Sequence, residues 1–107
     1  MPDQSPDIVE QTTTIPQIRT KEPPMYKVVL FNDDFTTKEF VVEILVMIYH
    51  KAVGEAAELM WRIHRQGKGV AGVYSLDIAE TKAVATIDLA RENGFPLKVS
   101  LEHDGPS

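Results

Sequence analysis

Apolar positions organise the chain from Met25 onward and leave it almost unmarked before that point. Val28, Val29, Leu30 and Phe31 form a short β-branched and aromatic run typical of a buried strand, and Asn32-Asp33-Asp34 ends it, so a strand is expected over about Tyr26 to Asn32. Phe40, Val41, Ile44, Leu45 and Ile48 then recur at helical spacing and predict a helix over about Thr37 to His50. Thr36 followed by Glu39 reads as its capping box, with the Thr36 hydroxyl accepting from the Glu39 N–H and the Glu39 carboxylate reaching back. A second helix, over about Val53 to Gln66, carries Ala56, Leu59, Met60 and Ile63 on one face and stops at Gly67 or Gly69. Val70 to Tyr74 is expected as a short strand. Ser75 caps a third helix from Leu76 to Glu92, whose end is marked by Asn93-Gly94 and Pro96. Leu97, Val99 and Leu101 alternate with Lys98, Ser100 and Glu102, the pattern of a half-solvated strand. The order is β-α-α-β-α-β. Short strands with helices gathered on one side predict an α+β fold, a two-layer sandwich of helices on a three-stranded antiparallel sheet.

Residues 1–24 are rich in Pro, Thr, Gln and acidic residues, hold only isolated aliphatics and end in Pro23-Pro24, so they are expected to be a disordered extension. Residues 25–103 form the folded core and 104–107 a flexible tail. At 107 residues and 43% hydrophobic, the chain has the size of one domain with one small core. A formal net charge of -5 with a pI near 5.1 argues against nucleic acid as a partner. The absence of cysteine excludes disulfides, thiolate nucleophiles and cysteine metal sites. No apolar run approaches a membrane span, and Asp3, Asp7 and Glu10 stand where a signal peptide would be basic, which makes the cytoplasm the expected compartment and a membrane an unexpected partner.

Candidate chemistry gathers in the loop between the first strand and the first helix. Asn32, Asp33 and Asp34 there can offer amide and carboxylate oxygens to a small cation or an amine, on a loop short enough to hold them still. Ordinary turn chemistry before a capped helix explains the same residues. His64 lies four residues after Met60, which predicts that it shares the inward face of its helix and has a polar partner there. A core-edge histidine satisfied by a backbone carbonyl is the plainer alternative. Two adjacent carboxylates and one histidine lack the spacing of a zinc enzyme, so no catalytic role, metal or cofactor is expected. Arg62, Arg65 and Lys68 are expected on a solvated face.

The runs YKVVLFNDDFTTKEFV, ELMWRIHRQGKGVAGVYSLDIAETK and ARENGFPLKVSLE occur in that order over about residues 23 to 102, and together they resemble the ClpS family, adaptors of the bacterial Clp protease machine. The resemblance implies a binding module rather than an enzyme. Its expected ligands are N-degrons, proteins whose first residue is Leu, Phe, Tyr or Trp, and its expected partner is the N-terminal domain of the ClpA unfoldase of the ClpAP protease. A free N-terminus offers a cationic α-amine beside one apolar side chain, so its receptor needs acceptors converging at the mouth of an apolar pocket. By resemblance, Asn32, Asp33 and His64 contact the amine, with Asp33 as charge partner, while Asp34 and Thr36 contact the first peptide units or hold the loop. Val41, Ile44, Met60, Ile63 and Leu97 are the implied pocket walls, and Met60 suits side chains of several shapes. Asp77, Glu80 and Lys82 are the implied unfoldase-docking residues, although a dipole-favoured first helical turn also explains Asp77 and Glu80. The N-terminal extension is implied to help deliver substrate, and the protein is expected to be a monomer.

The chain departs from the family pattern in two places. Lys38 stands at the pocket rim where many members have methionine, and its aliphatic stem can either lie along that rim or swing away from it. Ala52 replaces a frequent aspartate cap, and Gly54 weakens the start of the second helix further. The principal competing expectation is a partner-docking domain with no amine pocket, built like the C-terminal domain of the ribosomal stalk protein. Metal-assisted hydrolysis at Asp33, Asp34 and His64 comes third. Asn32-Asp33 together with His64 discriminates, because a docking domain has no reason to assemble them.

Overall fold

The computed structural model describes residues 23–105, so the expected extension, up to residue 22, and the last two residues of the expected tail lie outside the described part. The elements are β1 (Met25–Phe31), α1 (Lys38–Met47), α2 (Val53–Gln66), β2 (Lys68–Ser75), α3 (Leu76–Glu92) and β3 (Lys98–Asp104). This is the expected order, on a three-stranded sheet arranged β2-β1-β3. Both neighbours run antiparallel to β1. The continuous run Val28-Val29-Leu30 takes the central position, where all three residues are buried.

Alternation along β1 sends Val28 and Leu30 into the core, where they meet Ile44 and Leu45 of α1, Leu59 and Ile63 of α2, and Leu97. α3 reaches the sheet through Ala79, Ala83, Thr86 and Ala90, small side chains that let its backbone lie close to the strands. β2 carries one more residue than β1 opposes: partners step from Gly72 to Val70, leaving the buried Ala71 as the extra residue of a bulge.

Several expected boundaries move, each for a local reason. α1 ends at Met47 rather than His50, because the chain turns at His50 in the left-handed region (φ 59°) and the Lys51 N–H donates back to the Leu45 carbonyl at 3.0 Å. β2 starts at Lys68, two residues earlier than expected, and ends at Ser75, pairing with the full length of β1. β3 excludes the buried Leu97 but runs on to Asp104, which pairs with Met25 and so belongs to the strand rather than to a tail. Ser75 occupies the cap position of α3 without capping it, its hydroxyl donating instead to Asp77 Oδ1 at 2.9 Å.

Candidate functional site

The loop from Asn32 to Thr37 is held by one carboxylate. Asp33 Oδ1 accepts from the N–H groups of Phe35 at 2.8 Å and Thr36 at 2.7 Å, and Oδ2 accepts from the Thr36 hydroxyl at 2.7 Å. Burial pushes the Asp33 carboxyl upward, but the Thr36 hydroxyl, the Thr36 and Phe35 amides and the charge of Arg91 outweigh it and hold the carboxyl below its ordinary value. Asp33 is thus kept as an anion. The expected capping box does not form. Thr36 is spent on Asp33, and Thr37 caps α1 instead, its hydroxyl oxygen accepting from the Phe40 N–H at 3.1 Å.

The other end of the loop is tied to α2. The Asn32 N–H leaves the strand ladder and donates to the Gly67 carbonyl at 2.8 Å. Gly67 is the left-handed C-cap of α2 (φ 94°), with its own N–H donating to the Ile63 carbonyl at 2.9 Å. One backbone bond thereby places the last turn of α2, which carries His64, against the acidic loop.

Between them lies a cavity of about 400 Å³ lined by Asn32, Asp33, Asp34, Thr36, Lys38 and His64, together with Phe35, Thr37 and Glu39. All five residues expected at the α-amine and first peptide units meet here. Three carboxylates, Asp33, Asp34 and Glu39, face it against the single ammonium of Lys38, a balance that favours a cation. His64 is exposed at this cavity rather than turned into the core, which corrects its expected orientation. The buried stripe of α2 is Ala56, Leu59, Met60 and Ile63, and His64 lies at its edge in the last turn. Among the described residues, no group of three or more His, Asp or Glu side chains is arranged to hold a metal ion.

A second recess, of about 350 Å³ and mostly apolar, adjoins the first and shares Lys38 and Glu39 with it. Its other walls are Val42, Met60 and Trp61. Of the five expected wall residues only Met60 borders this opening, while Val41, Ile44, Ile63 and Leu97 are buried in the core. Val42 and Trp61 were not expected here. Trp61 is 42% exposed, and the one hint in the sequence was a tryptophan lying off the apolar stripe of its helix. Its ring packs edge-on to the His64 imidazole at 5.7 Å, with Lys38 Nζ 5.7 Å and the Arg65 guanidinium 5.8 Å from its centroid. Lys38 therefore reaches from α1 toward α2 instead of swinging away.

The three expected docking residues lie on α3, with Asp77 and Glu80 exposed. Lys82 is engaged within the fold: Nζ donates to the Ile48 carbonyl at 2.7 Å and stands 5.3 Å from the centroid of Tyr74 and 5.9 Å from that of Tyr49.

The family model described as "ATP-dependent Clp protease adaptor protein ClpS" matches residues 21–100. The chain is 46% identical over 99 residues to the ATP-dependent Clp protease adapter protein ClpS of Desulforapulum autotrophicum, covering 92% of this chain and 95% of that one. It is 50% identical over 82 residues to the corresponding protein of Acetivibrio thermocellus, covering 77% and 83% of the two chains. Among solved structures, Agrobacterium tumefaciens ClpS2 bound to L-phenylalaninamide superposes with a TM-score of 0.75 at 41% identity, over 78% of this chain and 100% of that one.

Proposed function

The chain belongs to the ClpS family of non-catalytic protease adaptors, and on that premise we propose that it captures proteins by a free α-amine and a bulky apolar first residue and delivers them to a ClpAP-type protease. The observation that carries this is the contact between two unlike cavities, one acid-rich and one apolar, through Lys38 and Glu39. An N-terminal residue has that same division, with its ammonium and its side chain leaving one carbon atom. L-phenylalaninamide, the ligand of the Agrobacterium relative, is the minimal form of such a residue: a free amine, a benzyl side chain and an amide in place of the next peptide bond.

In this proposal Asp33 is the charge partner of the amine. Its loop bonds fill both sites on Oδ1 and leave one lone pair of Oδ2 free, and its lowered carboxyl keeps the charge in place. Asn32 and His64 supply further acceptors from the loop and from α2, and Met60, Val42 and Trp61 receive the side chain. Asp77 and Glu80 present charge to the N-terminal domain of a ClpA-type unfoldase. The adaptor works in the bacterial cytoplasm and needs no cofactor.

Fluorescence anisotropy with labelled peptides differing only at the first residue tests the proposal. Peptides starting with Leu, Phe, Tyr or Trp should bind, and acetylation of the N-terminus should weaken them about a hundredfold or more, the order of loss when a charged partner is left unpaired. Asp33→Ala should weaken the free-amine peptide similarly and change the acetylated one little. If acetylated and free peptides bind alike, the amine is not recognised and the docking-domain alternative takes its place.

A further inference from the structure

The three helices pack on one face of the sheet, where Val28 and Leu30 point into the core, so alternation turns Lys27, Val29 and Phe31 to the opposite face. Cross-strand pairing adds Val73 beside Lys27, Val70 beside Val29, and Lys68 and Lys98 on either side of Phe31. Both of these lysines lean toward the Phe31 ring, with Nζ 5.9 and 5.1 Å from its centroid, and Val70 and Val73 are 39% and 38% exposed. A recess of about 450 Å³ opens on the same side, where Lys27, Lys68 and Arg62 outnumber the one carboxylate, that of Glu102. On a chain of net charge -5 this is a locally cationic surface with an apolar floor. It suits an extended acidic segment that also carries aliphatic side chains.

We propose that this uncovered face of the sheet is the docking surface for the chain's own residues 1–22. The inference stands apart from the capture of a first residue and concerns a different surface. Three observations select this occupant. β1 begins at Met25, whose side chain falls on the same face as that of Lys27, so the chain upstream starts from the rim of the surface. Twenty-two residues precede the described part, enough when extended to reach roughly 70 Å. The seven residues of β1 span about 23 Å, so the segment can turn back and cover the whole face. Up to residue 18 the sequence carries Asp3, Asp7 and Glu10 and no lysine or arginine, with Ile8 and Val9 between the last two acids. Those carboxylates match Lys27, Lys68 and Lys98, and the aliphatic pair matches Val70 and Val73. Tethering gives an effective concentration on the order of millimolar, so a contact too weak to hold a free peptide still holds this segment.

The chain has no cysteine, so Ser5→Cys accepts a single nitroxide label whose neighbours are read, in the full chain, as broadened NMR signals. Phe31, Val70 and Val73 should lose most of their intensity, while Ile78 and Val84, exposed on α3, should keep theirs. Raising the salt from about 0.1 to 1 M, which shortens the Debye length from about 10 to 3 Å, should relieve most of the broadening. Lys68→Glu with Lys98→Glu should relieve it at low salt, and adding Asp3→Lys, Asp7→Lys and Glu10→Lys to that variant should bring it back. Thermal melts check the fold of each variant. If the sheet variant does not fold, the three changes in residues 1–22 by themselves, which leave the sheet untouched, must abolish the broadening. Broadening spread evenly over the surface, centred on the acidic cavity, or indifferent to every charge reversal overturns the proposal. So does broadening in a mixture of nitroxide-labelled chains and isotope-labelled chains without nitroxide, because it identifies a second copy as the occupant. Loss of peptide capture is a separate failure that none of these signals reads.

Discussion

Asp33 and Thr36 are joined twice, through the threonine amide to one carboxylate oxygen and through its hydroxyl to the other, both at 2.7 Å. Thr36→Val removes the hydroxyl and leaves the amide. The sign of the pH effect follows from the lowered carboxyl: a folded value below the ordinary 3.8 adds stability that is present above about pH 4 and is lost as pH falls through the lowered value. Wild type should therefore exceed Thr36→Val in melting temperature at pH 7, and the gap should shrink below about pH 4. Thermal melts of the two proteins across that range check it, and a gap independent of pH would show that the hydroxyl acts without the carboxylate charge.

Met60 lines the apolar recess and is only 7% exposed, so it serves the core and the site together. Met60→Ala should weaken a Leu-starting peptide by about 1 to 3 kcal/mol, while the fold itself loses about 2 to 5 kcal/mol. Anisotropy at a temperature well below the new melting point separates the two. The loss should depend on the first residue, being larger for Leu and Phe than for a peptide starting with Gly.

Lys82 and Tyr49 stitch α3 to the end of α1. The Tyr49 hydroxyl pairs with the Thr86 hydroxyl at 2.7 Å, and burial pushes its pKa up to about 12, offset only partly by that bond. A raised value adds stability that is full below the unfolded value near 10 and is lost as pH rises through about 12. Tyr49→Phe should cost about 0.5 to 1.5 kcal/mol at pH 7 and flatten the alkaline decline in melting temperature. Lys82→Ala should lower the melting temperature as well, by several degrees if it loses about 1 kcal/mol. Glu80→Ala, at an exposed position, should stay within about 0.5 kcal/mol. A delivery defect in Glu80→Ala would then report on docking, whereas one in Lys82→Ala would carry a stability component.

Gly67 holds a left-handed conformation, and a Cβ there would meet nothing within 4 Å, so its replacement strains only the backbone. Gly67→Ala should cost about 1 to 2 kcal/mol, and Gly67→Asn less, since asparagine tolerates that region better. Because the Gly67 carbonyl anchors Asn32, peptide affinity should fall in the same order as stability, as paired melts and titrations would show.

The element order was legible in the sequence because each element carries its own period, and Val28 to Phe31 could hardly be anything but a central strand. The acidic loop was legible because three polar residues interrupt that run. What the sequence hid were choices between neighbours. Thr36 and Thr37 both suit a helix cap, and only the reach of the Asp33 carboxylate decides that the first turns back and the second caps. His64 follows Met60 at helical spacing, yet it also follows Ile63 by one residue and sits in the last turn, at the edge of the stripe and beside the acidic loop. Trp61 falls next to Met60, off the buried stripe, and its place at the recess depends on how α1 and α2 approach each other, which no local pattern records.

The bond from Asn32 to Gly67 joins the end of β1 to the far side of α2, with both helices between. A chain emerging from the ribosome makes the acidic loop early, but at that moment it has neither the turn that fixes the loop nor the histidine that faces it. In the proposed capture of an N-terminus, the site is therefore incomplete until α2 has closed. An unfinished copy holds half a hand.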